Sequence, residues 1–222
     1  MYDVAEIFTA PQGEGTFTGT LMTFIRFVGC SVSKKVCHFC DTDYDQKYPW
    51  LGGGTFSPEA LEREVPPNVK HVCFTGGEPF DQNLTPLFSR FQTRLIHIET
   101  SGTRNIPFSA AAVYGPPRKK YNAGGDERSI WLSVCPKPGW LEANIRLADE
   151  IKVIVPGLGT GAGWPTIEDA VRWAQMGKPV YLQPRNKKHE IDRRNLDLCL
   201  ELQHKYPELR VSAQLHKFLA TR

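Results

Sequence analysis

The chain has 222 residues, of which 41% are hydrophobic, and we therefore predict a single domain with a sizeable core over residues 1–222. The 27 lysines and arginines nearly balance the 24 acidic residues, and no dense basic run occurs, so the composition argues against nucleic-acid binding. No apolar stretch reaches the roughly 18 residues of a membrane-spanning helix. The start MYDVAEIF also lacks a charged-then-apolar leader, and we predict a cytoplasmic protein without a membrane span.

Runs rich in β-branched and aromatic residues alternate with helical stretches along the chain. Ser57 followed by Pro58 predicts the start of one helix. Thr166 predicts the N-cap of a second helix, and Gly177 its end. A third helix is predicted over 192–206. The predicted strands are 21–28, 70–75, 94–99, 130–134, 150–155, 179–183 and 210–215. Such alternation favours an α/β fold with a parallel sheet, either open or closed into a partial barrel.

Two segments fit this alternation poorly. Residues 102–129 contain Gly-Pro-Pro and Gly-Gly and are interpreted as a long irregular connection. Residues 156–165, PGLGTGAGWP, lack the Gly-Lys-Ser/Thr ending of a phosphate loop. We interpret them as a flexible loop between a strand and a helix.

Three cysteines lie within eleven positions: Cys30, Cys37 and Cys40. A disulfide framework is unexpected in a chain of this length without a secretion signal. Structural zinc prefers four ligands, often in paired CxxC units, and no second CxxC follows. Three thiolates on a [4Fe–4S] cluster leave one iron without a protein ligand. The spacing by itself leaves zinc and iron–sulfur chemistry both open.

Two other cysteines and two strand histidines are interpreted as structural. Cys73 and Cys199 lie in apolar contexts and predict buried thiols, whereas His71 and His97 lie within predicted strands.

Polar and glycine-rich motifs follow one predicted strand after another. The carboxyl ends of parallel strands meet at one edge, where ligands bind. We therefore predict that these motifs form one site: Gly29-Cys30, TGGEP (75–79), ETSG (99–102), CPK (135–137), QPR (183–185) and His216.

The ordered set of motifs resembles the radical S-adenosylmethionine (SAM) superfamily and, within it, the 7-carboxy-7-deazaguanine synthase family of queuosine and 7-deazapurine biosynthesis. The resemblance runs nearly end to end and rests on QGEG (12–15), FIRFVGC (24–30), CHFCDT (37–42), TGGEP (75–79), ETSGT (99–103), CPK (135–137), QP (183–184) and QLHKFL (214–219). The chain departs from the pattern in the SVSKKV insertion after Cys30, and in Cys135, where relatives commonly have serine.

The resemblance implies an incomplete parallel βα barrel of the radical SAM type, with six to seven strands and reduced helices. It also implies the cofactors: a [4Fe–4S] cluster on Cys30, Cys37 and Cys40, SAM on the fourth iron, and Mg²⁺ on Thr42. The expected SAM-binding residues are Gly76, Gly77, Glu78, Ser101, Cys135, Lys137, Gln183, Pro184, Arg185 and Asn186.

The substrate implied by the resemblance is 6-carboxy-5,6,7,8-tetrahydropterin, which a carbon–nitrogen lyase reaction converts to 7-carboxy-7-deazaguanine with loss of ammonia. Arg26 is expected to bind its carboxylate, because this arginine interrupts an apolar strand. The full set of expected substrate-binding residues is Pro11, Gln12, Gly13, Glu14, Arg26, Thr75 and His216. The resemblance further implies a homodimer and an external electron donor such as flavodoxin.

Two other hypotheses remain open on the sequence. One is a different radical SAM enzyme, for instance an activase that makes a glycyl radical on a protein partner. The other is a zinc-stabilised binding protein without catalytic activity.

Overall fold

The computed structural model describes residues 1–32, 34–40, 42–106, 130–161, 163–186 and 190–219. Within these ranges, nine strands form one sheet in the order β3-β1-β2-β4-β5-β6-β7-β8-β9. The strands are β1 (Tyr2–Pro11), β2 (Leu21–Phe27), β3 (Gly54–Phe56), β4 (His71–Gly76), β5 (Leu95–Thr100), β6 (Ile130–Val134), β7 (Glu150–Val155), β8 (Val180–Pro184) and β9 (Arg210–Val211).

The seven strands expected from the sequence, β2 and β4 to β9, pair in parallel throughout. The prediction missed β1 and β3, which add an antiparallel edge: β1 pairs with β2 on one side and with β3 on the other. In the described part of the chain, β3 and β9 each have one neighbour, so the sheet does not close. The fold is thus α/β with a mostly parallel, incomplete barrel, as the resemblance implied.

Six α-helices are described between and after the strands: α1 (Pro58–Glu64), α2 (Thr85–Arg90), α3 (Glu142–Leu147), α4 (Ile167–Gln175), α5 (Arg193–Lys205) and α6 (Leu215–Phe218). The three predicted helices, α1, α4 and α5, are confirmed with their caps. Ser57 Oγ accepts from Ala60 N at 3.2 Å, and Thr166 forms a capping box with Asp169. The prediction missed α2, α3 and α6, which have six residues or fewer and show little periodicity.

Each parallel strand alternates between two faces because successive side chains of a strand point in opposite directions. One face, with Ile25, Phe74 and Val153, joins helix residues such as Leu61 and Trp173 in the main hydrophobic core. The opposite face, which we call the inner face, receives polar residues from each of β2 and β4 to β8. The polar residue nearest the carboxyl end on this face is, in turn, Arg26, Thr75, Glu99, Ser133, Lys152 and Gln183. The core side therefore holds the sheet, and the inner face is available for chemistry.

The two segments that fit the alternation poorly are residues 102–129 and 156–165. Of the predicted irregular connection, residues 107–129 lie outside the described residues. Residues 156–165 form turns between β7 and α4, with Ala162 not described, in agreement with the predicted loop. None of the described helices is long and apolar enough to cross a membrane.

His71 and His97 form a structural pair at the amino-terminal part of the inner face. His71 Nδ1 lies 3.0 Å from His97 Nε2. The Phe17 ring packs edge-on against His97, with centroids 4.6 Å apart, and in the same way against Trp131. Cys73 and Cys199 are fully buried, so the structural interpretation of all four residues is confirmed.

Buried His97 should make the protein sensitive to mild acid. Burial and the neighbouring His71 lower the pKa of His97 to about 3, whereas an unfolded histidine has a pKa of about 6.5. Between these values the unfolded chain binds a proton that the folded chain does not, so the free energy of unfolding falls as the pH decreases below about 6.5. Denaturant titrations at pH 7 and pH 5 give the free energy of unfolding. It should decrease less between these two pH values in His97→Gln than in the wild type. An equal loss in both proteins would contradict this assignment.

Candidate active site

The turn after β1 crosses the inner face of the sheet. Thr16 N donates to Glu150 Oε2 at 2.8 Å, on β7, and Gly15 N donates to Ser212 Oγ at 3.1 Å, just after β9. Gly15 has φ = +68°, and a Cβ there would lie 2.5 Å from the Glu150 carboxylate, so this position requires glycine. The turn thus brings the QGEG motif against strands on the far side of the sheet.

One cavity on the inner face collects all the residues expected to bind substrate. Pro11, Gln12, Gly13, Glu14, Arg26, Thr75 and His216 line it together with Thr42, Gly76, Phe8, Phe24, Glu99 and Gln214. We call it the substrate cavity. The lining residues come from both ends of the chain and from four strands, β1, β2, β4 and β5, so only the folded chain brings them together.

Arg26 is held at this cavity by two polar contacts. Its Nε donates to Glu6 Oε1 at 2.7 Å, and its Nη1 donates to Thr42 Oγ1 at 3.2 Å. The guanidinium carbon lies 5.7 Å from the centroid of the Phe8 ring, which stacks on Phe24. The arginine therefore presents a fixed cation beside a flat aromatic wall, and this geometry suits a planar anion.

His216 packs directly on the QGEG turn. Leu215 N donates to Gly13 O at 2.7 Å, and a Cβ on Gly13 would lie 2.0 Å from His216 Nδ1. The close approach explains why glycine occupies position 13. It also joins the QLH segment near the end of the chain to the turn near its start.

A buried lysine joins two carboxylates of the substrate cavity. Lys152 Nζ donates to Glu14 Oε2 at 2.8 Å and to Glu99 Oε1 at 2.9 Å. Only 3% of the lysine side chain is exposed. Burial opposes the charge of Lys152, but Glu14 and Glu99 outweigh it, and the pKa of Lys152 is raised well above its usual range. Burial likewise opposes the charge of Glu14, but Lys152 outweighs it and lowers the pKa of that carboxyl.

The three clustered cysteines lie on the segment that follows β2, next to the TGGEP motif. A Cβ on Gly77 would lie 1.8 Å from Gly29 O and 2.6 Å from Cys30 Cβ, and Glu78 N donates to Gly29 O at 3.1 Å. The second glycine of TGGEP therefore lets β4 approach the backbone that carries Cys30.

Burial is the main influence on the Cys37 thiol. It raises the pKa of Cys37 to about 11, and the nearby Lys137 ammonium opposes this shift. None of the three is in a disulfide. Bound iron would reverse this effect because metal coordination deprotonates a thiol.

A second cavity, which we call the cofactor cavity, adjoins the cysteines. It contains six of the ten residues expected to bind SAM, and its lining is Glu14, Cys37, Phe39, Cys40, Cys135, Lys137, Ile154, Gln183, Pro184, Arg185, Asn186 and Gln214. Lys137 Nζ donates to Cys135 Sγ at 2.8 Å, so the thiol that replaces the usual serine has a partner. Gln183 Oε1 is buried and has no hydrogen-bond donor among the described residues, which suits a bound ligand that supplies one.

The other four expected SAM-binding residues lie elsewhere. Gly76 lines the substrate cavity, and Gly77 packs on Gly29. The Glu78 side chain is fully buried and accepts from Thr100 Oγ1 at 2.7 Å and from Ser101 N at 2.9 Å. This carboxylate thus ties the ends of β4 and β5 together.

Two residues, Glu14 and Gln214, line both cavities. Gln214 Nε2 donates to Glu14 Oε1 at 2.6 Å, and Asn186 Nδ2 donates to Gln214 Oε1 at 2.6 Å. The two cavities therefore share a wall, and a molecule in one would lie next to a molecule in the other.

The predicted strand-end motifs included Glu99 without assigning it a role, whereas Lys152 and Gln214 were missed as site residues. A signal existed for Glu99 and Lys152, since each is a charged residue at an inner-face position of a buried strand. All six residues of β7, EIKVIV, are buried, and a buried lysine needs a charged partner. The same reasoning had identified Arg26.

An open, mostly parallel βα sheet with a cysteine trio and two adjoining cavities at its inner face defines a partial-barrel α/β protein with a ligand site on that face. No family model matches the chain. Curated relatives named 7-carboxy-7-deazaguanine synthase do match it over nearly its whole length. The protein from Caulobacter vibrioides is 31% identical over 98% of both chains. The protein from Bacteroides thetaiotaomicron is 29% identical over 100% of both. A crystal structure of QueE from Escherichia coli superposes with a TM-score of 0.68 at 25% identity, covering 97% of this chain and 94% of that one.

The chain belongs to the 7-carboxy-7-deazaguanine synthase family. Family membership implies a radical SAM enzyme, with SAM and an iron–sulfur cluster as cofactors.

Proposed function

We propose that the chain converts 6-carboxy-5,6,7,8-tetrahydropterin to 7-carboxy-7-deazaguanine with loss of ammonia, as a carbon–nitrogen lyase in 7-deazapurine biosynthesis. The observation that carries this proposal is the substrate cavity, in which all seven residues expected to bind the pterin meet. Its shared wall with the cofactor cavity supports it, since a radical formed on one ligand must reach the other.

The polar lining complements such a substrate. Arg26 pairs with the substrate carboxylate, in the orientation that Glu6 and Thr42 hold. Phe8 and Phe24 offer a flat apolar wall to the ring system. Gln12 and Glu14 bind the polar edge of the heterocycle, and Thr75 and His216 bind the remaining polar atoms. These contacts orient the ring and keep water from it.

Cys30, Cys37 and Cys40 hold the [4Fe–4S] cluster, and six residues of the cofactor cavity hold SAM: Cys135, Lys137, Gln183, Pro184, Arg185 and Asn186. Gly76, Gly77, Glu78 and Ser101 are assigned to the methionyl end through the backbone at the ends of β4 and β5. When bound, the cluster and SAM supply the one-electron cleavage that starts the radical reaction.

Thr42 is assigned to a Mg²⁺ ion. Its hydroxyl lines the substrate cavity, and from the described residues it accepts one hydrogen bond, from Arg26, which leaves a lone pair for a hard cation. Mg²⁺ takes few protein ligands and keeps water or substrate oxygens in its other positions. We further infer a cytoplasmic homodimer that receives electrons from a donor such as flavodoxin.

The direct test is anaerobic reconstitution with iron and sulfide, followed by incubation with SAM, a reductant and the tetrahydropterin. We expect 5′-deoxyadenosine and 7-carboxy-7-deazaguanine, both detected by mass spectrometry. Formation of 5′-deoxyadenosine without the deazaguanine would indicate a different radical SAM enzyme, such as a glycyl-radical activase. A colourless protein that holds zinc and no labile sulfide would indicate the non-catalytic alternative.

Gly13→Ala should weaken substrate binding by displacing His216, because the new methyl group would overlap the imidazole. We expect the Kd of 6-carboxypterin, the oxidised form of the substrate, to rise about tenfold, as for the loss of one polar contact. The measurement is a titration of pterin fluorescence. If displacement of His216 is the cause, His216→Ala and the double variant Gly13→Ala/His216→Ala should show the same rise in Kd as Gly13→Ala. A larger, additive rise in the double variant would contradict this explanation.

A further inference from the structure

Lys152 lies at the centre of a hydrogen-bonded chain on the inner face. Gln12 Nε2 and Thr75 Oγ1 donate to Glu99, at 3.2 Å and 3.1 Å, and Lys152 joins Glu99 to Glu14. Gln183 Nε2 and Gln214 Nε2 both donate to Glu14 Oε1. This chain of contacts runs from the substrate cavity to the cofactor cavity.

Both carboxylates retain acceptor capacity toward the substrate cavity. A carboxylate offers about four acceptor positions. From the described residues, Glu14 and Glu99 each accept three hydrogen bonds. The oxygens with a single donor are Glu14 Oε2 and Glu99 Oε2. About one acceptor position therefore remains on each carboxylate, and both residues line the cavity.

The charged ammonium group of Lys152 determines whether the carboxylate oxygens of Glu14 and Glu99 can act as hydrogen-bond acceptors. With Lys152 charged, the three groups sum to one negative charge, and both carboxylates stay ionised. Without it, two carboxylates would share a buried site, and one of them would take up a proton, as like charges in close contact do. A protonated carboxyl donates a hydrogen bond where an ionised one accepts.

We propose that Lys152 is a positioning residue that holds Glu14 and Glu99 as a pair of ionised acceptors for the adjacent N–H donors of a flat aminopyrimidinone. The inference rests on the function proposed above and specifies which edge of the substrate the pair reads: the ring N–H and the exocyclic amino group. Lys152 itself touches neither ligand. It acts through the two carboxylates.

The test compares two probes that differ at this edge. 6-Carboxypterin has the exocyclic amino group, whereas 6-carboxylumazine has a carbonyl oxygen in its place. Two ionised carboxylates accept a hydrogen bond from the amino group and repel the carbonyl oxygen. The Kd of the reconstituted wild type should therefore be lower for the pterin than for the lumazine by on the order of 100-fold. Lys152→Met should weaken pterin binding and reduce this preference to within about threefold, because a protonated carboxyl donates to the carbonyl.

Glu150→Gln is the matched control. Glu150 lies two positions from Lys152 on β7 and does not line the cavity, and it favours the Lys152 charge less than Glu14 and Glu99 do. Its carboxylate accepts from Thr16 N, and a glutamine oxygen can keep this hydrogen bond. This variant should keep the wild-type preference. If Lys152→Met does not fold, Lys152→Gln, which also removes the charge, should show the same reduced preference.

A structural role alone would weaken both probes equally and leave the preference unchanged, and that result would overturn the inference. Failure of the wild type to bind 6-carboxypterin would instead overturn the proposed function, and the inference with it. Equilibrium titration of probe fluorescence gives these results without any turnover, so they do not depend on the activity of the cluster.

Discussion

Replacement of Cys30, Cys37 or Cys40 by alanine is expected to abolish both cluster assembly and turnover. Three thiolates each hold one iron, and the loss of any one leaves a second iron open to solvent. The reaction depends on the cluster because no side chain of the protein can supply the electron. The measurements are iron and sulfide content after anaerobic reconstitution, together with 5′-deoxyadenosine formation. Full turnover in any of the three variants would contradict the assignment.

Cys199→Ala is the matched control for this experiment. Cys199 is fully buried in α5, within the main core and away from both cavities. Its replacement removes one buried sulfur and should lower the free energy of unfolding by about 1 kcal/mol, the cost of a small cavity. Iron content and turnover should stay at the wild-type level, which separates the loss of a ligand from a general effect of cysteine replacement.

Gly77→Ala is expected to have the second largest effect, although it leaves in place the backbone atoms assigned to the methionyl end of SAM. The added methyl group would lie 1.8 Å from Gly29 O and 2.6 Å from Cys30 Cβ, and backbone atoms cannot move aside as a side-chain tip can. We expect the free energy of unfolding to fall by about 2–3 kcal/mol, as for other overpacked sites. Because the strain acts on the backbone of Cys30, iron content should fall as well. Denaturant unfolding and iron analysis measure the two effects.

Gly161→Ala provides the control for Gly77→Ala. Nothing lies within 4 Å of a Cβ on Gly161, and neither glycine has a left-handed φ. The two substitutions therefore add the same atom to an unstrained backbone, and they differ only in what the atom meets. Gly161→Ala should leave stability within about 1 kcal/mol of the wild type and iron content unchanged. Equal effects of the two variants would contradict the role assigned to Gly77.

Much of the candidate site could be predicted from the sequence because its residues lie in short motifs at the ends of strands. Thr75 and His216 lie in motifs that follow predicted strands, whereas Arg26 was named because it interrupts an apolar strand and Gln12 because of the family resemblance. The structure brings all four to one cavity. The strand-end motifs were informative because parallel strands deliver their carboxyl ends to a single edge of a sheet, whatever the details of packing. The motif order was therefore informative without knowledge of distances.

The prediction failed where residues lie inside a strand or pair with distant ones. Lys152 lies in EIKVIV without any motif, and its partners Glu14 and Glu99 are 138 and 53 positions away. The antiparallel β1 was missed for a similar reason. Its burial alternates poorly, with a register shift between Val4 and Glu6, and local pattern does not indicate which strand it joins.

By itself, the sequence determined the parallel strands, the capped helices and the motifs that carry the cysteines and the expected ligand contacts, because hydrophobic period, capping and motif chemistry are local properties. Only the tertiary structure decided that the turn after β1 crosses the inner face, that Glu14 and Gln214 separate two adjoining cavities, and that a buried lysine joins two carboxylates. These features depend on contacts between residues far apart in the chain, and such contacts exist only once the core has packed the strands in one order.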